Sequence, residues 1–163
     1  MTLSKIISGG QTGVDRGALD AAIRQGFPCG GWCPAGRMAE DGPIDLKYPL
    51  EELPGAGYKA RTIQNIIDAD ATVVIYFGQL EGGTQLTVLQ CMRRHKPYKL
   101  VDAEVVAAPS AARLIVEFIA AHNVATLNVA GPRQSKSSMA KAFAFDVVTE
   151  LLNLIAQASG RQA

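Results

Sequence analysis

Four glycine-rich segments, three of them carrying an arginine, are the parts of this chain best suited to chemistry. The first is Ser8-Gly9-Gly10-Gln11-Thr12-Gly13, followed by Val14-Asp15-Arg16. The second is Pro34-Ala35-Gly36-Arg37, running on to Ala39-Glu40-Asp41-Gly42. The third is Gly78 with Gly82-Gly83-Thr84, and the fourth is Ala130-Gly131-Pro132-Arg133, followed by Ser135, Ser137 and Ser138. Glycine lets a backbone turn sharply and approach a phosphate closely. A helix that starts at such a turn offers an anion its free N–H groups and the positive end of its dipole. Arginine adds charge and a planar donor fork. A single segment of this kind is commonly only a turn. Four of them, with Arg16, Arg37 and Arg133, point to a phosphorylated, nucleotide-like ligand.

Such segments act together only if the fold brings them to one edge, and the hydrophobic pattern supplies that frame. Residues 3–8 read as a strand, 14–25 as a helix with Leu19, Ala22 and Ile23 on its apolar stripe, and 29–33 as a short second strand. Residues 34–57, rich in proline, glycine and charge, read as a long loop, a kind usually functional or disordered. A helix is expected over 58–69, a buried strand over 72–77, a helix over 84–95 and a strand over 99–101. Then come a helix over 110–122 capped by Ser110, a strand over 125–130 and a long helix over 137–157. The alternation predicts an α/β fold: one Rossmann-like, doubly wound, mainly parallel sheet with helices on both faces, spanning 1–158, with 159–163 as a frayed tail. In such a sheet ligands bind beyond the carboxyl ends of the strands, where all four glycine-rich segments fall.

Several function classes are disfavoured. The chain has 163 residues, 48% of them hydrophobic, which suits one core, and no uninterrupted apolar run long enough to span a membrane. The N-terminus does not read as a signal peptide, so a cytoplasmic protein without membrane partners is expected. A net charge of +1 gives no global field for nucleic acid. Cys29, Cys33 and Cys91, with only His95 and His122 besides, fall short of a four-ligand zinc site and read as buried thiols. Ser8 stands where the dinucleotide fingerprint needs its first glycine, no acid follows the second strand, and no Gly-Lys-Ser/Thr phosphate loop occurs. Arg61 and Asn65, four residues apart on one helix, share a face with Asp68, while Ile63, Ile66 and Ile67 are expected to face the core. That polar face is either solvated or part of the ligand site. Trp32 stacks on a ligand ring or belongs to the core or an interface.

The run from Ser8 to Asp20, the stretches Cys29-Gly30-Gly31-Trp32-Cys33-Pro34-Ala35-Gly36-Arg37 and Ala39-Glu40-Asp41-Gly42, and the pairs Arg61-Thr62 and Gly82-Gly83-Thr84 form a recognisable set. With Asn65 and Asn128-Val129-Ala130-Gly131-Pro132-Arg133, they resemble the molybdenum-cofactor carrier family of the SLOG superfamily, in order along almost the whole chain. The resemblance implies a non-enzymatic carrier that binds molybdenum cofactor (molybdopterin) or a related phosphorylated pterin or nucleotide without a covalent bond. The metal would travel on the cofactor's own dithiolene, so no protein metal ligand is needed. A homodimer or homotetramer, with molybdoenzymes or cofactor-biosynthesis proteins as partners, is implied as well. The expected site comprises Gly9, Gly10, Gln11, Thr12, Gly13, Asp15, Arg16, Gly36, Arg37, Asp41, Arg61, Asn65, Gly82, Gly83, Thr84, Gly131, Arg133 and Ser135. Phosphoribohydrolases of the same superfamily carry P-G-G-x-G-T-x-x-E; here Thr87 stands where their glutamate falls. A threonine cannot serve as a carboxylate base, so binding without that hydrolysis is expected. The alternatives are a nucleotide hydrolase using Asp15, Glu40 or Asp41, and a nucleotide-sensing module.

Overall fold

Apolar strands and amphipathic helices alternate in the computed structural model, which describes residues 3–161. The elements are β1 (Lys5–Ile7), α1 (Val14–Arg24), β2 (Cys29–Gly30), β3 (Trp32–Pro34), β4 (Met38–Ala39), β5 (Gly42–Pro43) and β6 (Glu51–Leu53). They continue with α2 (Tyr58–Asp68), β7 (Ala71–Tyr76), α3 (Gly82–Arg93), β8 (Tyr98–Asp102), α4 (Ala108–His122), β9 (Thr126–Ala130) and α5 (Ala140–Arg161). Five strands form one sheet in the order β2-β1-β9-β7-β8, and every pairing in it is parallel. A parallel sheet needs cover on both faces. Helices α1, α5 and α4 pack together as one layer, and α2 and α3 as another.

The topology places the ligand edge. From β1 the chain crosses through α1 to β2 on one side, and from β7 it crosses through α3 to β8 on the other. Right-handed crossovers in opposite directions put α1 and α3 on opposite faces and open a crevice where they diverge. That point is the carboxyl end of β1, β9 and β7. Ser8, fully buried, ties the first two together by donating its hydroxyl to the Val129 carbonyl at 2.7 Å.

The second strand is split rather than continuous. Gly31 has φ 129°, and a Cβ there would sit 2.1 Å from the Ser8 carbonyl oxygen. The chain therefore bends away from β1, and β3 pairs instead with β6 in a separate two-stranded sheet. The segment read as a loop over 34–57 is structured: a 3-10 turn at Ala35–Arg37, a β4–β5 hairpin, and β6. It encloses a small core of its own with Leu19, Cys33, Ala39, Ile44, Tyr48 and Leu50.

Other boundaries move for local reasons. Ser110 is not the cap of α4; the helix starts at Ala108, with Pro109 fixing its first turn. Helix α3 begins at Gly82, before Thr84. Helix α5 begins only at Ala140 and continues to Arg161, so residues 159–161 extend it, while 162–163 lie outside the described residues. By length and composition Ala140–Gly160 could cross a membrane, with mean hydropathy 1.2. Here one face of it is buried, through Ala144, Val147, Val148, Leu151 and Leu152, and packs on α1 and α4. Gly17 permits the close approach to α1, since a Cβ there would lie 2.3 Å from the Lys141 carbonyl. Helix α2 follows the sequence expectation only in part: Ile66 is buried and Asp68 exposed, but Ile67 is 46% exposed, whereas Arg61 and Asn65 are buried.

Candidate functional site

The open groups lie at the start of α3. No side chain caps this helix, so the N–H groups of its first turn are left without intrahelical partners. A Cβ on Gly82 or Gly83 would meet nothing within 4 Å, so the backbone stands bare to the space in front of it. That space is a cleft of about 330 Å³ at the crevice of the sheet, within the usual range of small-molecule sites. Asn128 and Val129 of β9 line it, with Gly9 and Gln11 from the loop after β1. Tyr58, Lys59 and Arg61 enter from α2, and Gly131, Arg133 and Lys136 from the loop after β9. The cations Lys59, Arg61, Arg133 and Lys136 outnumber Asp15 and Glu81 on its walls. Among the described residues Arg133 has no carboxylate within salt-bridge distance. Its guanidinium lies over the Tyr58 ring, 5.8 Å from the centroid, as does that of Arg61 at 5.8 Å.

Arg61 and Asp15 form a buried ion pair, Nη1 to Oδ2 at 3.2 Å. Burial pushes the Asp15 carboxyl above the ordinary carboxylate range, with Arg61 acting in the opposite direction. Gly9 makes room for this pair: a Cβ there would fall 1.8 Å from Arg61 Nη1.

Two N–H groups of the first glycine loop are taken by the protein itself. The Gln11 N–H donates to Asp15 Oδ2 at 3.1 Å, and the Thr12 N–H to Gln11 Oε1 at 3.0 Å. Asp15 is thus the anion at this turn, and these donors are not free for a phosphate. Gly10 and Gly13 serve the packing of loops rather than the cleft. Gly10 has φ 78°, and its missing Cβ would sit 2.3 Å from Leu50 Cδ1; that of Gly13 would sit 2.4 Å from the Pro132 carbonyl.

Two of the arginines expected at the site are engaged by the chain itself, outside the cleft lining. Arg37 donates to the carbonyls of Ile44, Leu50, Asp45 and Tyr48, at 2.8–3.1 Å, and so gathers the 38–50 segment around itself. Arg16 grips both oxygens of Asp41, one at 2.8 Å, and holds that carboxyl below its usual range. Gly36 gives its N–H to Glu52. Thr12 and Ser135 belong to a clasp around Glu40, which accepts from the Thr12 hydroxyl and from the Ser135 hydroxyl at 2.6 Å and N–H at 3.1 Å. Burial opposes its ionisation, but the hydrogen bonds from Ser135 and Thr12 prevail and keep the carboxyl below its ordinary value. Arg16, Gly36, Arg37, Asp41, Thr12 and Ser135 therefore hold loops together and do not line the cleft.

Asn65 lines the cleft, yet its amide is engaged. Its Oδ1 accepts from the Trp32 N–H at 2.8 Å, and its Nδ2 donates to the Trp32 carbonyl at 3.0 Å, completing the free edge of β3. Trp32 Nε1 donates to Asp68 at 2.6 Å. These bonds explain why Asn65 points inward while Asp68 stays exposed, and they make Trp32 a docking group for the helix. Lys59, Tyr58 and Lys136 line the cleft without having been singled out in the sequence, and Asn128, quoted only within the family-like stretch, lines it too; of the first three Lys136 alone had a signal, three residues after Arg133 in a glycine loop. The three cysteines are free thiols whose ionisation burial discourages. Among the described residues no group of three His, Cys, Asp or Glu side chains gathers to hold a metal.

The different surroundings of the arginines make a test. Arg37→Ala removes four charge-assisted bonds to backbone, a type whose loss costs about 1.5–3 kcal/mol when a partner is left unsatisfied. It should lower the melting temperature and expose the 38–50 segment to limited proteolysis, while phosphate affinity stays near the parent value. A folded, protease-resistant Arg37→Ala protein with weakened phosphate binding would return Arg37 to the ligand.

Residues 6–152 match the profile of the circularly permutated YpsA SLOG family. A crystal structure described as a "putative molybdenum carrier protein" from Syntrophus aciditrophicus SB superposes with a TM-score of 0.90. It is 40% identical, over 93% of this chain and 96% of that one. No curated protein matches the chain.

Proposed function

The chain belongs to the circularly permutated YpsA SLOG family, and from that premise we propose that it is a carrier whose cleft holds a phosphorylated ligand, molybdenum cofactor or a related pterin or nucleotide. One observation carries the reading: the uncapped start of α3, bare at Gly82 and Gly83, opens onto the same cleft as Arg133 and Lys136. Phosphate oxygens would accept from the N–H groups of Gly82, Gly83 and Thr84 and from the Arg133 fork, with Lys136 and Lys59 adding charge. The name of the structural relative favours molybdenum cofactor among the phosphorylated candidates. In that case the metal is cargo, held by the cofactor's own sulfurs, and the protein supplies the grip and the orientation. Thr87 is engaged within α3, its hydroxyl donating to the Gly83 carbonyl at 3.0 Å, and offers no carboxylate to a glycosidic bond. Assembly into a homodimer or homotetramer, and transfer to a molybdoenzyme or a cofactor-biosynthesis protein, belong to the same proposal.

Gly83→Asp tests it. The position has open space and no positive φ, and an acid in the first turn of a helix suits the dipole, so the fold should persist. The new carboxylate would occupy the anion site. Native mass spectrometry of freshly purified parent should show a bound phosphorylated species, and the variant should lose it together with affinity for inorganic phosphate. A variant that binds phosphate as the parent does removes α3 from the site.

A further inference from the structure

A second cavity, of about 550 Å³, opens beside the cleft and shares Phe77, Lys136 and Ser137 with it. We infer that it receives the ring of the same ligand, a flat heteroaromatic group with an amino-bearing donor edge. This inference rests on the cleft being the anion site. The walls are Phe77 from the end of β7 and Phe143 from the first turn of α5, meeting edge to face with centroids 6.0 Å apart, together with Met139 and Ala142. Glu104 and Asp146 stand on the same cavity, and among the described residues neither is in a salt bridge.

The charges set the direction of the ligand. A phosphate is repelled by the Glu104–Asp146 side and drawn to the α3 side, so the anionic end lies in the cleft. A group that passes Lys136 into the second cavity meets aromatic walls and carboxylates that only accept hydrogen bonds. Both carboxylates are exposed and hydrated; an aliphatic tail offers them nothing in exchange for water, whereas a ring with N–H donors on its edge meets the walls with its face and the acids with its edge. Glu104 is placed by the fold. Its N–H and that of Gly78 both donate to Asp102 Oδ1, at 3.0 and 2.9 Å, and its carboxylate fills the space where a Cβ on Gly78 would lie 2.4 Å away. A carboxylate pairs best with two parallel donors, the arrangement of a ring N–H beside an amino group. Guanine and pterins carry that edge; adenine carries the amino group alone.

Calorimetric titration of the parent, Ala142→Trp and Glu104→Gln with inorganic phosphate, ribose 5-phosphate, AMP and GMP decides the matter. The parent should bind GMP about tenfold or more tighter than ribose 5-phosphate, with AMP between them. Ala142 is exposed, so tryptophan there fills the cavity without entering the core. That variant should keep its affinity for phosphate and ribose 5-phosphate and lose the advantage of both nucleotides. Glu104→Gln should lose the preference of GMP over AMP. A parent that binds phosphate but takes GMP and ribose 5-phosphate equally overturns the ring site and leaves the cleft standing. An Ala142→Trp protein that retains the nucleotide advantage places the ring elsewhere. Failure of the parent to bind phosphate removes the cleft reading, and this inference with it.

Discussion

Arg133→Ala should bind inorganic phosphate, or the ligand that purifies with the protein, about ten- to a hundred-and-fifty-fold more weakly than the parent, and should melt close to it. The affinity range corresponds to about 1.5–3 kcal/mol for a hydrogen bond to a charged group. The small stability effect follows from the surroundings. Arg133 is half-buried on the cleft wall and, among the described residues, has no carboxylate in salt-bridge reach. What it loses is its stacking on Tyr58, an interaction of about 0.5–1 kcal/mol at an exposed site. Arg133→Lys should recover part of the affinity, because an ammonium keeps the charge without the two-pronged grip. Calorimetry and thermal melting on the three proteins suffice. Unchanged phosphate affinity in a folded Arg133→Ala protein would take this residue out of the site.

Arg61→Leu should have the opposite profile, with stability as the main casualty. Arg61 and Asp15 are 7% exposed each. Removing one partner of a buried pair strands the other charge, at a cost of about 3–5 kcal/mol. The cost should depend on pH. Burial already raises the Asp15 carboxyl, and losing Arg61 raises it further. An acid whose folded-state pKa is raised holds its proton more tightly when folded, so its contribution is most favourable below the unfolded value, about 3.9, and is lost as pH rises through the folded value. Destabilisation of Arg61→Leu should therefore shrink as pH is lowered from neutral. The double variant Arg61→Leu, Asp15→Asn should regain much of the loss at neutral pH. Urea unfolding at several pH values checks both; a deficit independent of pH would mean that the stranded carboxylate is not its cause.

The fold was legible because strands such as Ala71–Tyr76 are apolar but for Thr72 and helices such as α4 repeat at helical spacing. Locating the ligand edge followed from the parallel order. Less legible was what each glycine is for. Gly9, Gly10, Gly13 and Gly82 look alike in the sequence, yet the first three admit Arg61, Leu50 and Pro132, and only Gly82 opens on empty space. The arginines divide the same way: Arg37 and Arg16 carry the same charge as Arg133 but meet carbonyls and Asp41 folded back from elsewhere in the chain. Such partners are tertiary, and local pattern has no access to them. Helix α2 misled for a related reason. Arg61 and Asn65 face inward beside Ile66 because they meet Asp15 and Trp32, contacts across more than thirty positions in the chain.

The place of β9 between β1 and β7 has a consequence for how the protein comes to exist. During synthesis the β1–β2 unit and the β7–β8 unit emerge first, and each can form its own crossover. Neither has a partner for its inner edge until Thr126–Ala130 leaves the ribosome. Pairing Ile6 with Leu127 closes a loop of most of the chain, the kind of distant contact that slows folding and leaves strand edges exposed meanwhile. Because the cleft lies across those same three strands, a chain that stops short of β9 has no strand to join its β1 side to its β7 side. On the proposed function, the capacity to hold a ligand would arise in the step that completes the sheet, and a ligand present at that moment would select the finished chain from its unfinished forms.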